Sequence, residues 1–128
     1  HCQGWLSQLL PAYLKKAYID DPIFSQSKVV VSLFGDTPKD AFSRHFVDKV
    51  VMGGLTEEDL PHLAQADGIN LAKTAVQYSD GVVAAAANAP QAAIDYATEC
   101  GIPVLKFNAK SLENGNYIKE YNDFYDKL

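Results

Sequence analysis

Long apolar runs are missing from this sequence. The longest, Gly81 to Ala87 with its immediate neighbours, falls far short of the roughly 20 residues that cross a bilayer, so neither a membrane partner nor a signal peptide is expected. Basic stripes are missing too. Eleven Lys and Arg stand against 16 Asp and Glu for a net charge of −5, and no window gathers several cations without interspersed acids, which excludes nucleic acid as an expected partner.

Cysteine is scarce: Cys2 and Cys100 lie at opposite ends of the chain and form neither a CxxC nor a Cys/His ligand spacing. A reduced, cytoplasmic protein with free thiols follows. His45 and His62 lack a repeating partner at helical ligand spacing, so no metal site is expected. Gly53-Gly54 and Gly81 do not form the GxGxxG or GxxxxGK patterns that wrap phosphates, and they read as turn residues. No cofactor is called for. An initiating methionine is also lacking; the chain opens at His1, inside a motif, and we expect residues 1–128 to be a single segment of one domain from a longer protein.

What is there is core-forming. The 128 residues are 48% hydrophobic, enough to bury a real interior. Trp5, Leu6, Leu9, Leu10, Tyr13, Leu14 and Ala17 recur at three- and four-residue spacing and predict a helix, bent or loosened at Pro11. Asp20-Asp21-Pro22 ends it. The run Lys28 to Phe34 predicts a strand buried on both faces, followed by a loop at Gly35 to Pro38.

Ala41 to Val51 predicts a second helix, stopped by Gly53-Gly54. Thr56 followed by Asp59 makes a capping box for a short helix through Ala64, and Asp67 caps the next helix, whose buried face is expected at Ile69, Ala72, Ala75 and Val76. Ser79-Asp80-Gly81 leads into a strand at Val82 to Ala86. Pro90 and Gly101 bracket a helix over Gln91 to Cys100, Pro103 to Phe107 is a third strand, and Ile118, Tyr121, Phe124, Tyr125 and Leu128 mark a final amphipathic helix.

Strands alternating with helices imply parallel crossovers, hence an α/β, Rossmann-like parallel sheet with helices on both faces. In such sheets the ligand crevice lies beyond the carboxyl ends of the strands. Three loops therefore matter: His1 to Trp5, after a strand expected upstream; Phe34 to Asp40; and Ala87 to Gln91.

At these loops the chain becomes recognisable. His1-Cys2-Gln3-Gly4-Trp5 followed by Leu9-Leu10-Pro11-Ala12-Tyr13-Leu14 resembles the histidine-rich turn and helix of bacterial glycogen and starch synthases. Lys28 to Leu33 is similar to that family's next core strand, Tyr78 to Val83 to the segment entering the strand after it, and Asn122 to Leu128 to the end of a short, divergent branch. The resemblance implies an incomplete half of a GT-B N-terminal domain. It lacks the upstream Lys-Thr-Gly-Gly-Leu loop and the second domain with its donor-site glutamate and basic residues.

The family turn reads His-x-His-Asp-Trp, where this chain keeps His1 and Trp5 around Gln3 and Gly4. Its Thr-x-His-Asn corresponds to Ser32, Leu33, Phe34 and Gly35, and its Val-Ser-Pro to Ala85-Ala86-Ala87. Three site loops have thus lost polar groups, whereas glycosyl transfer needs charge on the leaving diphosphate and hydrogen bonds orienting the sugar.

The resemblance implies that His1 contacts donor sugar or acceptor, that Gln3 replaces a family histidine, and that Trp5 anchors the turn. Against this, a terminal histidine can be disordered, Gln3 can be a solvated loop amide, and Trp5 begins an apolar stripe and so favours packing. Glu57, Glu58 and Asp59 read as capping carboxylates rather than catalysts. Tyr117, Tyr121 and Tyr125 read as amphipathic packing rather than a carbohydrate platform.

The implied function is a part of a glycogen or starch synthase-like glycosyltransferase moving glucose from ADP-glucose or UDP-glucose to an α-1,4-glucan, a segment expected to be inactive alone. The alternative is a catalytically degenerate glucan-binding or protein-interaction module. A sheet without its preceding strands leaves an unpaired edge, so a homodimer is expected of the isolated segment.

Overall fold

A computed structural model describes all residues His1–Leu128. Its centre is a parallel sheet of four strands in the order β1-β2-β3-β4: β1 (Cys2–Gln3), β2 (Val30–Leu33), β3 (Gly81–Ala84) and β4 (Val104–Leu105). Cys2 pairs with Val31, Gln3 with Ser32, Val31 with Val82, and Val82 with Val104. β2 and β3 are buried throughout, as their β-branched runs predict. The expected upstream strand is thus in part the opening residues themselves.

Sequential strand order with crossovers of one hand puts every connecting helix on the same face. α1 (Leu10–Ala12), α3 (Gly68–Gln77) and α4 (Gln91–Glu99) pack there. Ala72, Ala75 and Val76 of α3 and Ala93 and Ala97 of α4 meet Cys2, Val31, Leu33 and Val82; the small side chains let both helices sit close to the strands. α3 is capped as predicted, the Asp67 carboxylate accepting from the Asn70 amide at 2.8 Å.

The opposite face carries Val30 and Val83, covered by Phe124 from α6 (Tyr117–Tyr125). A Cβ on Gly81 would lie 2.9 Å from both Phe124 and Leu128, so glycine there admits the C-terminal helix to the sheet. α5 (Ala109–Asn114) precedes it, capped by the Asn108 side chain and closed by Gly115 in the left-handed region at φ 78°. Ser111 donates its hydroxyl to the Glu120 carboxylate, tying α5 to α6. Helices therefore lie on both faces.

A satellite cluster joins Ala12, Val50, Leu55, Leu60, Leu63 and Leu71 beneath the loops. The capping box forms: Thr56 and Asp59 exchange side-chain and backbone bonds. The short helix it opens is two separate 3-10 turns, Glu57–Asp59 and Pro61–Ala64, because Pro61 cannot continue the first.

Several boundaries differ from expectation. The first helix is a 3-10 turn at Trp5–Ser7, α1, then a π-turn at Tyr13–Ala17, so the loosening extends well beyond Pro11. Leu6 and Leu10 point outward, 81% and 49% exposed, while Gln8 is buried at 1%; the wider π-turn and the tighter 3-10 turn shift the stripe away from regular spacing. α2 spans Phe46–Val51 only, since residues 41–45 run as irregular chain, with the Phe42 amide bonded to the Ala66 carbonyl. Ile69 sits on the exposed side of α3, and α5 was not anticipated at all. Ile118 and Tyr125 are likewise among the exposed residues of α6, whose narrow buried face is centred on Phe124. No helix is long and apolar enough to cross a membrane.

Candidate functional site

The three loops singled out above meet at the carboxyl edge of the sheet. Gly4, at φ 74°, turns the chain out of β1, and the following Trp5 amide faces the Asp36 carboxylate at 3.5 Å. A Cβ on Gly35 would fall 2.0 Å from the Asn88 side chain, so the loop after β2 lies directly on the loop after β3.

Alternation along β1 sorts the candidate residues. Cys2 faces the α3–α4 side with Val31, so His1 and Gln3 face α6. The His1 Nε2 lies 2.7 Å from the Ser32 hydroxyl, and its Nδ1 lies 2.7 Å from the Tyr125 hydroxyl. His1 is therefore held on both ring nitrogens, one hydroxyl donating and the other accepting when the imidazole is neutral. Tyr121 flanks it at a ring separation of 6.3 Å. Burial, then the neighbouring Tyr121, pushes the Tyr125 phenol above its ordinary value.

Trp5 goes elsewhere. Its indole stacks on Phe42 at 6.3 Å and 20° in the satellite cluster, away from His1 and Gln3, which makes it a packing residue of the turn. The site thus unites two of the three expected residues.

Two of the cavities on this edge touch the chain leaving β1 or β2. One, of about 410 Å³, lies between the loops after β2 and β3 and the start of α3, with Lys39 and Asp67 in its wall. The other, of about 470 Å³, lies on the α6 side: Gln3, Ser32 and Phe34 form its floor, and Tyr117, Tyr121 and Asn122 its far wall. No lining residue of this second cavity carries a charge.

Ser32 was not singled out as a site residue, and of the α6 tyrosines, weighed as a carbohydrate platform and read as packing, Tyr117 and Tyr121 line this cavity. Ser32 stands where the family has a threonine, and the tyrosines repeat every four positions, so their shared helical face was a usable signal. Within the acidic cluster Asp59 is engaged in capping: hydrogen bonds from the Thr56 amide and hydroxyl, then Lys16, hold its carboxyl below the usual range. His62 packs edge-on against Tyr96 at 4.8 Å rather than lying free on the surface, and burial, then Lys73, lowers its pKa. His45 pairs with Asp48 at 3.2 Å, and no three potential ligands gather anywhere. Cys2 is a buried free thiol and Cys100 an exposed one.

The family model of the starch synthase catalytic domain matches residues 1–101. No curated protein and no solved structure matches the chain. The match takes in β1 to α4 and stops before β4, α5 and α6.

Proposed function

The chain belongs to the starch synthase catalytic-domain family, and from that premise we propose that it forms part of a glycosyltransferase that passes glucose from ADP-glucose or UDP-glucose to an α-1,4-glucan. The observation that carries this reading is the position of the family turn. His1 and Gln3 sit at the carboxyl end of β1, beside Ser32 and an uncharged cavity, on the edge where parallel sheets hold ligands. In this reading Gln3 offers its amide to a sugar hydroxyl, His1 orients the Ser32 hydroxyl or turns to the sugar itself, and Trp5 anchors the turn through Phe42. The leaving diphosphate needs fixed positive charge; the second cavity has none in its lining, whereas the first has Lys39. The proposed compartment is the cytoplasm.

A second reading has its own support. Both nitrogens of His1 are already occupied by hydroxyls of the chain, and Ala85-Ala86-Ala87 offers no side-chain donor, as a catalytically degenerate glucan-binding or interaction module would allow. Self-association through β1 or β4 belongs with this reading; each is only two residues long, so few backbone groups would pair.

Glucose transfer by the intact gene product separates the two. Incorporation of labelled glucose from either donor into maltooligosaccharide removes the module reading. Glucan binding with no incorporation removes the enzyme reading.

A further inference from the structure

We propose that Asn114-Gly115, at the turn between α5 and α6, is a site of spontaneous covalent modification: the asparagine deamidates through a cyclic imide to aspartate and isoaspartate, and α6 loosens as a result. The pair lies beyond the family match and lines neither of the cavities described above. Water is the only co-reactant. The Gly115 main-chain nitrogen, once deprotonated, attacks the side-chain carbonyl carbon of Asn114; a C–N bond forms, ammonia leaves, and a succinimide ring closes. Water then opens the ring. Cleavage beside the side-chain carbon restores the ordinary chain with aspartate. Cleavage beside the main-chain carbon leaves the chain running through the side chain, as isoaspartate, with an additional carbon in the backbone.

Both reacting groups are free for this step. Asn114, Gly115 and Asn116 are all exposed, and the Gly115 N–H donates to no backbone carbonyl. A Cβ on Gly115 would meet nothing within 4 Å, so neither a side chain of its own nor a neighbour crowds the nitrogen. The Asn114 Oδ1 accepts from the Asn116 amide at 3.0 Å, which draws negative charge onto that oxygen and makes its carbon the better electrophile. Nitrogen and carbon belong to adjacent residues, so they meet at the high effective concentration of an intramolecular reaction. The other asparagines lack this combination: Asn70, Asn88, Asn108, Asn116 and Asn122 each precede a residue that carries a Cβ.

The turn is where such a change would be felt. Ser111 on α5 donates to the Glu120 carboxylate on α6 across it, and the Asn108 amide reaches the same carboxylate at 3.4 Å. An additional backbone carbon between these partners alters the span that their bonds close. Either product also places a carboxylate at the C-terminus of α5, the end where a helix disfavours negative charge.

The test incubates the protein at neutral and at mildly alkaline pH, then maps its asparagine peptides by mass spectrometry with fragmentation that separates isoaspartate from aspartate. Hydrogen exchange compares fresh and aged protein. Conversion is expected at Asn114 ahead of every other asparagine, faster at the higher pH because the deprotonated nitrogen attacks. Amides of α6 should exchange faster after conversion while those of α3 stay unchanged. Gly115→Ala should slow conversion at least about tenfold, one decade of rate. Asn114→Gln, whose longer side chain closes a larger ring, should abolish it; this variant keeps the glycine, so it reads the same chemistry should Gly115→Ala fail to fold. No conversion at Asn114, equal conversion at the other asparagines, or α6 exchange indifferent to conversion overturns the proposal.

Discussion

The imidazole Nδ1 of His1 and the phenol oxygen of Tyr125 lie 2.7 Å apart, joining positions separated by 124 residues. With Ser32 on the other ring nitrogen, this contact makes the C-terminal helix a structural partner of the family turn. Residues inside and outside the family match thus share one site.

Tyr125→Phe removes that hydroxyl and keeps the ring. Because Tyr125 is partly exposed, the expected loss is about 0.5–1 kcal/mol, the usual net worth of one hydrogen bond. Urea unfolding should show a lower midpoint at unchanged slope; an unshifted midpoint would mean the bond contributes nothing.

Phe124→Ala strips the buried side chain that covers Val30 and Val83. An aromatic truncation in a core costs about 3–5 kcal/mol, and here α6 should also loosen. Hydrogen exchange ought to quicken across Tyr117–Tyr125 while the amides of α3 stay protected. Uniform loss of protection would show that α6 and the sheet unfold as one unit.

Asp80 links the first helical segment to the sheet by accepting from the Val29 amide at 2.7 Å and pairing with Lys15 at 2.8 Å. Burial works to raise its carboxyl, but the bonds from Lys15 and Val29 and the charges of Lys15 and Lys28 outweigh it and hold the pKa below 3.8. A depressed folded value means stability present above the unfolded value and lost as pH falls through the folded one. Asp80→Asn should therefore cost about 1 kcal/mol at pH 7, a figure reduced for solvent screening of this partly exposed pair. The gap between variant and parent should close below about pH 3.8; a gap that persists in acid would assign the effect to packing.

Gly68 opens α3 against the loop after β2. A Cβ there would fall 2.2 Å from the Pro38 carbonyl and 2.7 Å from the Thr37 methyl. Gly68→Ala should destabilise by about 1–3 kcal/mol through overpacking, despite alanine's better helix propensity. A stabilised variant in thermal unfolding would show that this loop yields freely.

Elements whose signals are local were legible in the sequence. Val30 to Leu33 and Val82 to Ala84 are β-branched or small runs between breakers, Asp67 and Thr56 are side-chain caps, and Gly101 closes α4; each acts within a few residues of itself. β1 was not legible, because Cys2 and Gln3 are too short a stretch to carry a period and become a strand only by pairing with β2, some 30 positions on. α5 did carry a signal, Asn108 at its cap and Gly115 at its end, that its single polar turn made easy to pass over. In the site, Gln3 and His1 were found through the family motif. Their contacts with Ser32 and Tyr125 depend on strand register and helix docking, which no window of sequence contains, although the four-residue repeat of the α6 tyrosines was itself visible. The surprise at Leu6 and Leu10 has a similar origin: the turn types on either side of Pro11 rotate the helical face.

The most direct test of the account measures incorporation of labelled glucose from ADP-glucose and UDP-glucose into maltooligosaccharide by the intact gene product and by its His1→Ala variant. The account predicts incorporation by the unmodified protein and at least about a tenfold loss in the variant, equivalent to about 1.4 kcal/mol of transition-state stabilisation. No incorporation from either donor, with maltooligosaccharide still bound, would contradict it.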